Sequence, residues 1–119
     1  MTETPTVLIV DDNRPLTDGF ADVLSENYEV ETAYTAEQAR ESFGEEIDAV
    51  LLDRHLPDGS GDELLDEIRD EGYDFRVAVV SAAQPSSDLD CDMYLTKPLA
   101  DVDAVQETVA SLLGDDISR

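Results

Sequence analysis

Asp11 and Asp12 follow the apolar run Val7–Val10, Asp53 follows Ala49–Leu52, Ser81 follows Val77–Val80, and Lys97 follows Met93–Thr96. Carboxylates, a hydroxyl and an ammonium thus stand at the ends of successive strand-like segments. Carboxylates brought close together repel one another unless a cation joins them. An all-oxygen donor set favours Mg²⁺ (or Mn²⁺), which keeps waters and accepts phosphate oxygens. An ion held there neutralises an incoming phosphoryl group and holds it for in-line attack. Asp53, centred among the strands, is the natural nucleophile and would form an aspartyl phosphate. Lys97 would meet a phosphoryl oxygen as a compact point charge, and Ser81 would hydrogen-bond another. Taken singly, each residue also has a plain structural use. Asp11 or Asp12 can cap a helix, Asp53 can open a turn, Ser81 can be a satisfied loop hydroxyl, and Lys97 can be a surface lysine. Their joint occupancy of the strand ends is what points to a site.

The elements that must position these residues are legible in the hydrophobic pattern. Val7–Val10, Ala49–Leu52 and Val77–Val80 are continuous apolar runs of strand length, and Met93–Thr96 is a further short strand. Tyr28 to Tyr34 alternates as a half-exposed strand does. Leu16, Phe20, Ala21 and Leu24 share one helical face, with Asn13 as cap and Pro15 in the first turn. Thr35–Gln38 and Ser60–Glu63 read as capping boxes, and Gly72 stops the second of these helices. Val102, Val105, Val109, Leu112 and Leu113 form a last amphipathic face. Strands alternating with helices predict an α/β fold, a doubly wound five-stranded parallel sheet covered on both faces. Ligands in such sheets sit outside the carboxyl ends of the strands, at the switch point of strand order.

Length and charge bound the rest. The chain has 119 residues, enough for one core, with no internal repeat or linker. A single domain over 1–119 is expected, with its core at about 5–113 and a polar, fraying tail over 114–119. Acids outnumber bases 30 to 7, for a net charge of -23. Direct nucleic-acid binding is excluded, because nothing displaces counterions from phosphates. No apolar run reaches membrane-span length and no signal peptide opens the chain, so a cytoplasmic protein is expected. One cysteine, Cys91, leaves neither an internal disulfide nor a zinc cluster. An acid-rich surface with a single lysine suits a cytoplasm rich in salt, where repulsion is screened. An acidic mesophilic domain is the plainer alternative.

The combined motifs resemble the receiver domains (CheY-like) of two-component response regulators: Asp11-Asp12 after a strand, Leu51-Leu52-Asp53 followed by Leu56-Pro57 and Gly61, Ser81-Ala82, and Tyr94-Leu95-Thr96-Lys97-Pro98. The stretch Leu51–Glu63 looks most like haloarchaeal receivers, which often precede a HalX domain that this chain lacks. The resemblance implies a flavodoxin-like strand order 2-1-3-4-5. It implies a phosphoacceptor in a two-component phosphorelay, not a conventional enzyme, although it catalyses its own phosphorylation and dephosphorylation. A sensor histidine kinase would be the donor, and a downstream output domain or protein the recipient of the signal. Asp12 and Asp53 would ligate Mg²⁺, with Asp11 close by and the backbone carbonyl of His55 completing the protein ligands. Lys97 would bind the phosphoryl group, Ser81 and Tyr94 would form the switch, and the peptide before Pro98 would be cis. Asp58 and Asp62 match no catalytic position.

One departure from the family stands out. Ser81 and Lys97 are closer in sequence than in most receivers, so the fourth helix is expected to be shortened or missing. Dimerisation and signal exit through that face are then in doubt. Three other readings fit less well. A flavin-binding domain would need a Gly/Ser-rich phosphate loop where Asp11–Pro15 stands. A haloacid-dehalogenase-type phosphatase would need Asp where His55 stands, and no loop has EF-hand spacing. A degenerate, phosphorylation-independent receiver acting as an interaction module is the main alternative.

Overall fold

The apolar runs become parallel strands because each carries enough Val, Leu and Ile to be buried on both faces. The computed structural model describes residues 4–82, 91–97 and 102–114. The elements in chain order are β1 (Thr6–Val10), α1 (Arg14–Leu24), β2 (Glu29–Ala33), α2 (Ala36–Ser42), β3 (Ala49–Leu52), β4 (His55–Leu56), β5 (Gly59–Ser60), α3 (Gly61–Glu71), β6 (Arg76–Ser81), β7 (Met93–Thr96) and α4 (Val102–Leu113). The central sheet has the order β2-β1-β3-β6-β7, and every pairing is parallel. With the small hairpin β4–β5 left out of the count, this is the expected order 2-1-3-4-5.

Side chains alternate across the sheet, so each strand feeds two cores. Leu8, Val10, Val50, Leu52, Val77 and Val79 pack with Ala36 and Ala39 of α2 and with Leu64, Leu65 and Ile68 of α3. Val7, Ile9, Leu51, Ala78 and Val80 pack on the other face with Phe20 and Leu24 of α1 and with Val105, Val109 and Leu112 of α4. Truncating one of the fully buried leucines to Ala would cost about 2–5 kcal/mol.

The helix starts follow local chemistry. Asn13 Oδ1 accepts from Leu16 N at 3.2 Å, Thr35 Oγ1 from Gln38 N at 3.1 Å, and Ser60 Oγ from Glu63 N at 3.1 Å. Gly72 ends α3 with φ of 80°, a left-handed conformation that glycine adopts without strain. The segment after Asp53 contains the antiparallel hairpin β4–β5, in which His55 pairs with Ser60. The shortened or missing helix falls on residues 83–90, outside the described residues, as do Pro98 and the tail from 115 onward. Four helices stand among the described residues.

Candidate phosphoryl-acceptor site

Strand order reverses between β1 and β3, since β2 flanks β1 on one side while β6 and β7 extend the sheet beyond β3. The carboxyl ends of β1 and β3 are therefore adjacent, and Asp11 and Asp53 emerge there side by side. Their backbones are fixed by continuing the ladder: Asp11 N donates to Ala33 O at 3.0 Å, and Asp53 N donates to Val10 O at 2.9 Å. Carboxylate oxygens of Asp11, Asp12 and Asp53 all lie within 4.8 Å of one another. Asp11 and Asp53 are buried and Asp12 is exposed, so the cluster has a closed floor and an open mouth.

Lys97, just past β7, closes the cluster from the other side. Its Nζ donates to Asp11 Oδ2 at 2.7 Å and to Asp53 Oδ2 at 3.2 Å. Its backbone N donates to Ser81 O at 2.9 Å, which ties the lysine to the end of β6. Burial pulls the Lys97 ammonium down, but its bonds to Asp11 and the charges of Asp11 and Asp53 outweigh this and hold it above its ordinary value. Burial also raises the Asp11 carboxyl, against the opposing bonds from Lys97 and the Asn13 backbone. The Asp11 carboxylate is thus kept in the site at a net cost to its charged form.

The remaining expected residues divide into two groups. Ser81 is fully buried at the end of β6, and Tyr94 is half-buried on β7, with its hydroxyl 3.5 Å from Arg54 Nη1. His55 has an exposed side chain outside the carboxylate cluster, while its backbone N donates to Asp53 Oδ1 at 3.2 Å. The cis peptide before Pro98 lies outside the described residues. Asp58 and Asp62 match no catalytic position in the sequence, and both prove to anchor the loop that follows Asp53. Asp58 accepts from Ala36 N at 2.7 Å and Glu37 N at 3.1 Å, capping α2 across the loop. Asp62 takes a two-pronged bond from Arg54, at 2.9 and 2.8 Å. Their flanking turn and helix signals were visible, but their partners were not.

The three carboxylates form an all-oxygen donor set with two members withdrawn from water, which fits a hard divalent cation. The Lys97 ammonium, bonded to Asp11 and Asp53, is the positive charge of this otherwise acidic cluster. Residues 7–109 match the response regulator receiver domain family. The chain belongs to that family. This receiver is 43% identical over 111 residues to a Haloferax volcanii protein named "Putative transcriptional regulator". The alignment covers 90% of the receiver and 19% of that relative, so the receiver spans about a fifth of the relative's length. Among solved structures, it resembles a CheY-like receiver domain protein from Methanospirillum hungatei, with a TM-score of 0.86 and 27% identity over 95% of this chain and 96% of that one. It also resembles response regulator TrrA from Thermotoga maritima, solved in complex with Mg²⁺-BeF, with a TM-score of 0.79 and 31% identity over 92% of this chain and 99% of that one. No helix among the described residues is long and apolar enough to cross a membrane.

Proposed function

We propose that this receiver is a working phosphoacceptor, taking a phosphoryl group from a sensor histidine kinase onto Asp53 with the help of Mg²⁺. The observation that carries this reading is the Lys97 ammonium joined to both Asp11 and Asp53, within a cluster of three carboxylates. A carboxylate oxygen of Asp53 attacks the phosphorus of a phosphohistidine. The P–O bond forms as the P–N bond breaks, and the released imidazole takes a proton. Lys97 shifts its bonding from the carboxylates to the transferred group and balances the added charge. Asp11, Asp12 and Asp53, with the His55 carbonyl, would hold the metal, which supplies charge neutralisation when bound.

Ser81 pairs with Thr96 and Tyr94 with Val79 across the neighbouring strands β6 and β7, two register positions apart, and both would respond to the new group. The self-catalysed gain and loss of phosphate make this a signalling switch rather than a conventional enzyme. A cytoplasmic setting, a downstream output domain or protein, and a salt-rich host complete the reading. The likeness to a Haloferax protein supports the last of these.

Intact mass after treatment with acetyl phosphate and Mg²⁺ in concentrated KCl tests the proposal. One added phosphoryl group on the parent and none on Asp53→Asn is the expected result. No addition to a folded parent that binds Mg²⁺ and also refuses a kinase-borne phosphoryl group would point to the phosphorylation-independent interaction module.

A further inference from the structure

We propose that Arg54 is a positioning residue: clamped by Asp62, it ties the peptide of Asp53 to Tyr94 and holds the acceptor in the geometry that binds a phosphoryl group. This rests on the acceptor reading of Asp53. Arg54 is fastened to the first turn of α3 twice over. Its backbone oxygen accepts from Gly61 N at 2.8 Å. Its guanidinium donates through Nε and Nη2 to the two oxygens of Asp62, the next residue of the same turn. Gly61 itself lies so close to the Asp53 carbonyl oxygen that any Cβ there would collide with it. The third guanidinium nitrogen, Nη1, reaches the Tyr94 hydroxyl at 3.5 Å on the edge strand of the sheet.

A lone exposed ion pair would contribute little. Here the Arg54 side chain is only 19% exposed, and the planar fork fixes its orientation as a lysine could not. Arg54, which follows Asp53 directly, is thus held to the start of α3 by its carbonyl and its guanidinium and to Tyr94 by its third nitrogen, so a shift of Asp53 would disturb these bonds. Restricting the acceptor before the ligand arrives reduces the freedom that binding must remove, which favours binding.

Charge alone predicts something different. Arg54→Met makes the receiver more negative and Asp62→Asn makes it less so. By simple attraction, the two would shift the binding of an anionic phosphoryl mimic in opposite directions. If the clamp positions the acceptor, they shift it the same way. The test is titration with beryllofluoride and Mg²⁺ in molar KCl, followed by ¹⁹F NMR. Arg54→Met and Asp62→Asn should each weaken binding about fivefold or more. Arg54→Lys, which keeps the charge and loses the fork, should join them. Tyr94→Phe should weaken binding less, and Arg54→Met combined with Tyr94→Phe should be no weaker than Arg54→Met alone.

Opposite shifts, or unchanged binding in the clamp variants, would overturn the proposal and leave the acceptor reading intact. Absence of binding by the parent would remove both. Should Arg54→Met fail to fold, Asp62→Asn and Arg54→Lys decide the question.

Discussion

Asp11 is held in the site against its own burial, and this has a consequence for stability. Its carboxyl titrates above the ordinary value of 3.8, chiefly through desolvation, so the folded state binds that proton more readily than the unfolded chain does. The stability linked to this group is fully present below 3.8 and is lost as pH rises through the folded value. At neutral pH the charged Asp11 therefore works against folding. Asp11→Asn should raise the unfolding temperature of the metal-free receiver while impairing phosphorylation. Calorimetry in EDTA beside a phosphorylation assay checks both, and a lower unfolding temperature would contradict the argument. Lys97 obeys the same sign rule at the other end of the scale. Its folded value lies above 10.5, so its contribution is intact below that pH and is lost as pH rises beyond it. Lys97→Met should fold, because the long apolar stem is kept, yet accept phosphoryl groups at least about a hundredfold more slowly, as expected when one preorganised charge is removed. Quench-flow phosphorylation would measure it.

The acceptor loop is set by its neighbouring elements more than by its own composition. Asp58 reaches across to the first turn of α2, and the backbone bonds from Ala36 and Glu37 hold its carboxyl below 3.8. A lowered carboxyl contributes stability above its unfolded value and loses it as pH falls through the folded one. Asp58→Ala should therefore lower the unfolding temperature by a few degrees near pH 7, and the difference from the parent should vanish once the pH is well below 3.8. Gly61→Ala should be harsher. The collision with Asp53 O would push the acceptor peptide off α3 at a cost of about 1–3 kcal/mol, with slower phosphorylation as well. Chemical denaturation of the variant measures the first effect. These contacts also show where sequence reading stops. Four-residue apolar runs, the Asn13, Thr35 and Ser60 caps and the Gly72 stop are local signals, so the long strands and helices were legible. The hairpin β4–β5 has strands too short for any alternation to show. The partners of Asp58 and Asp62 lie across turns, where no local spacing names them. The site residues were legible for the opposite reason: strand ends are fixed by local pattern, and parallel pairing then brings those ends together.

Across the whole molecule, a charge of -23 is carried on a body whose Cα radius of gyration is 13.2 Å. Four of the five described arginines are already paired with acids: Arg40 with Glu67, Arg54 with Asp62, and Arg69 and Arg76 with Asp92, while Arg14 lies over the Tyr34 ring. The remaining repulsion acts against the folded state and is screened within about 3 Å at molar salt. The unfolding temperature should climb steadily from 0.1 M toward molar KCl, as followed by circular dichroism. A flat profile would favour the plainer mesophilic reading. The site itself should depend less on salt, because its ion pairs are withdrawn from water.

The scarcity of lysine has a practical result at the same edge of the sheet. Lys97 bears the only side-chain amine in the protein. Reductive methylation with ¹³C-formaldehyde would therefore place one side-chain probe inside the acceptor cluster, apart from any label on the terminal amine. Because the ammonium is ion-paired and 19% exposed, its rate of labelling would report how often the Asp11–Lys97–Asp53 bridge opens. The receiver thus carries an intrinsic reporter of its own resting state, read without any engineered residue.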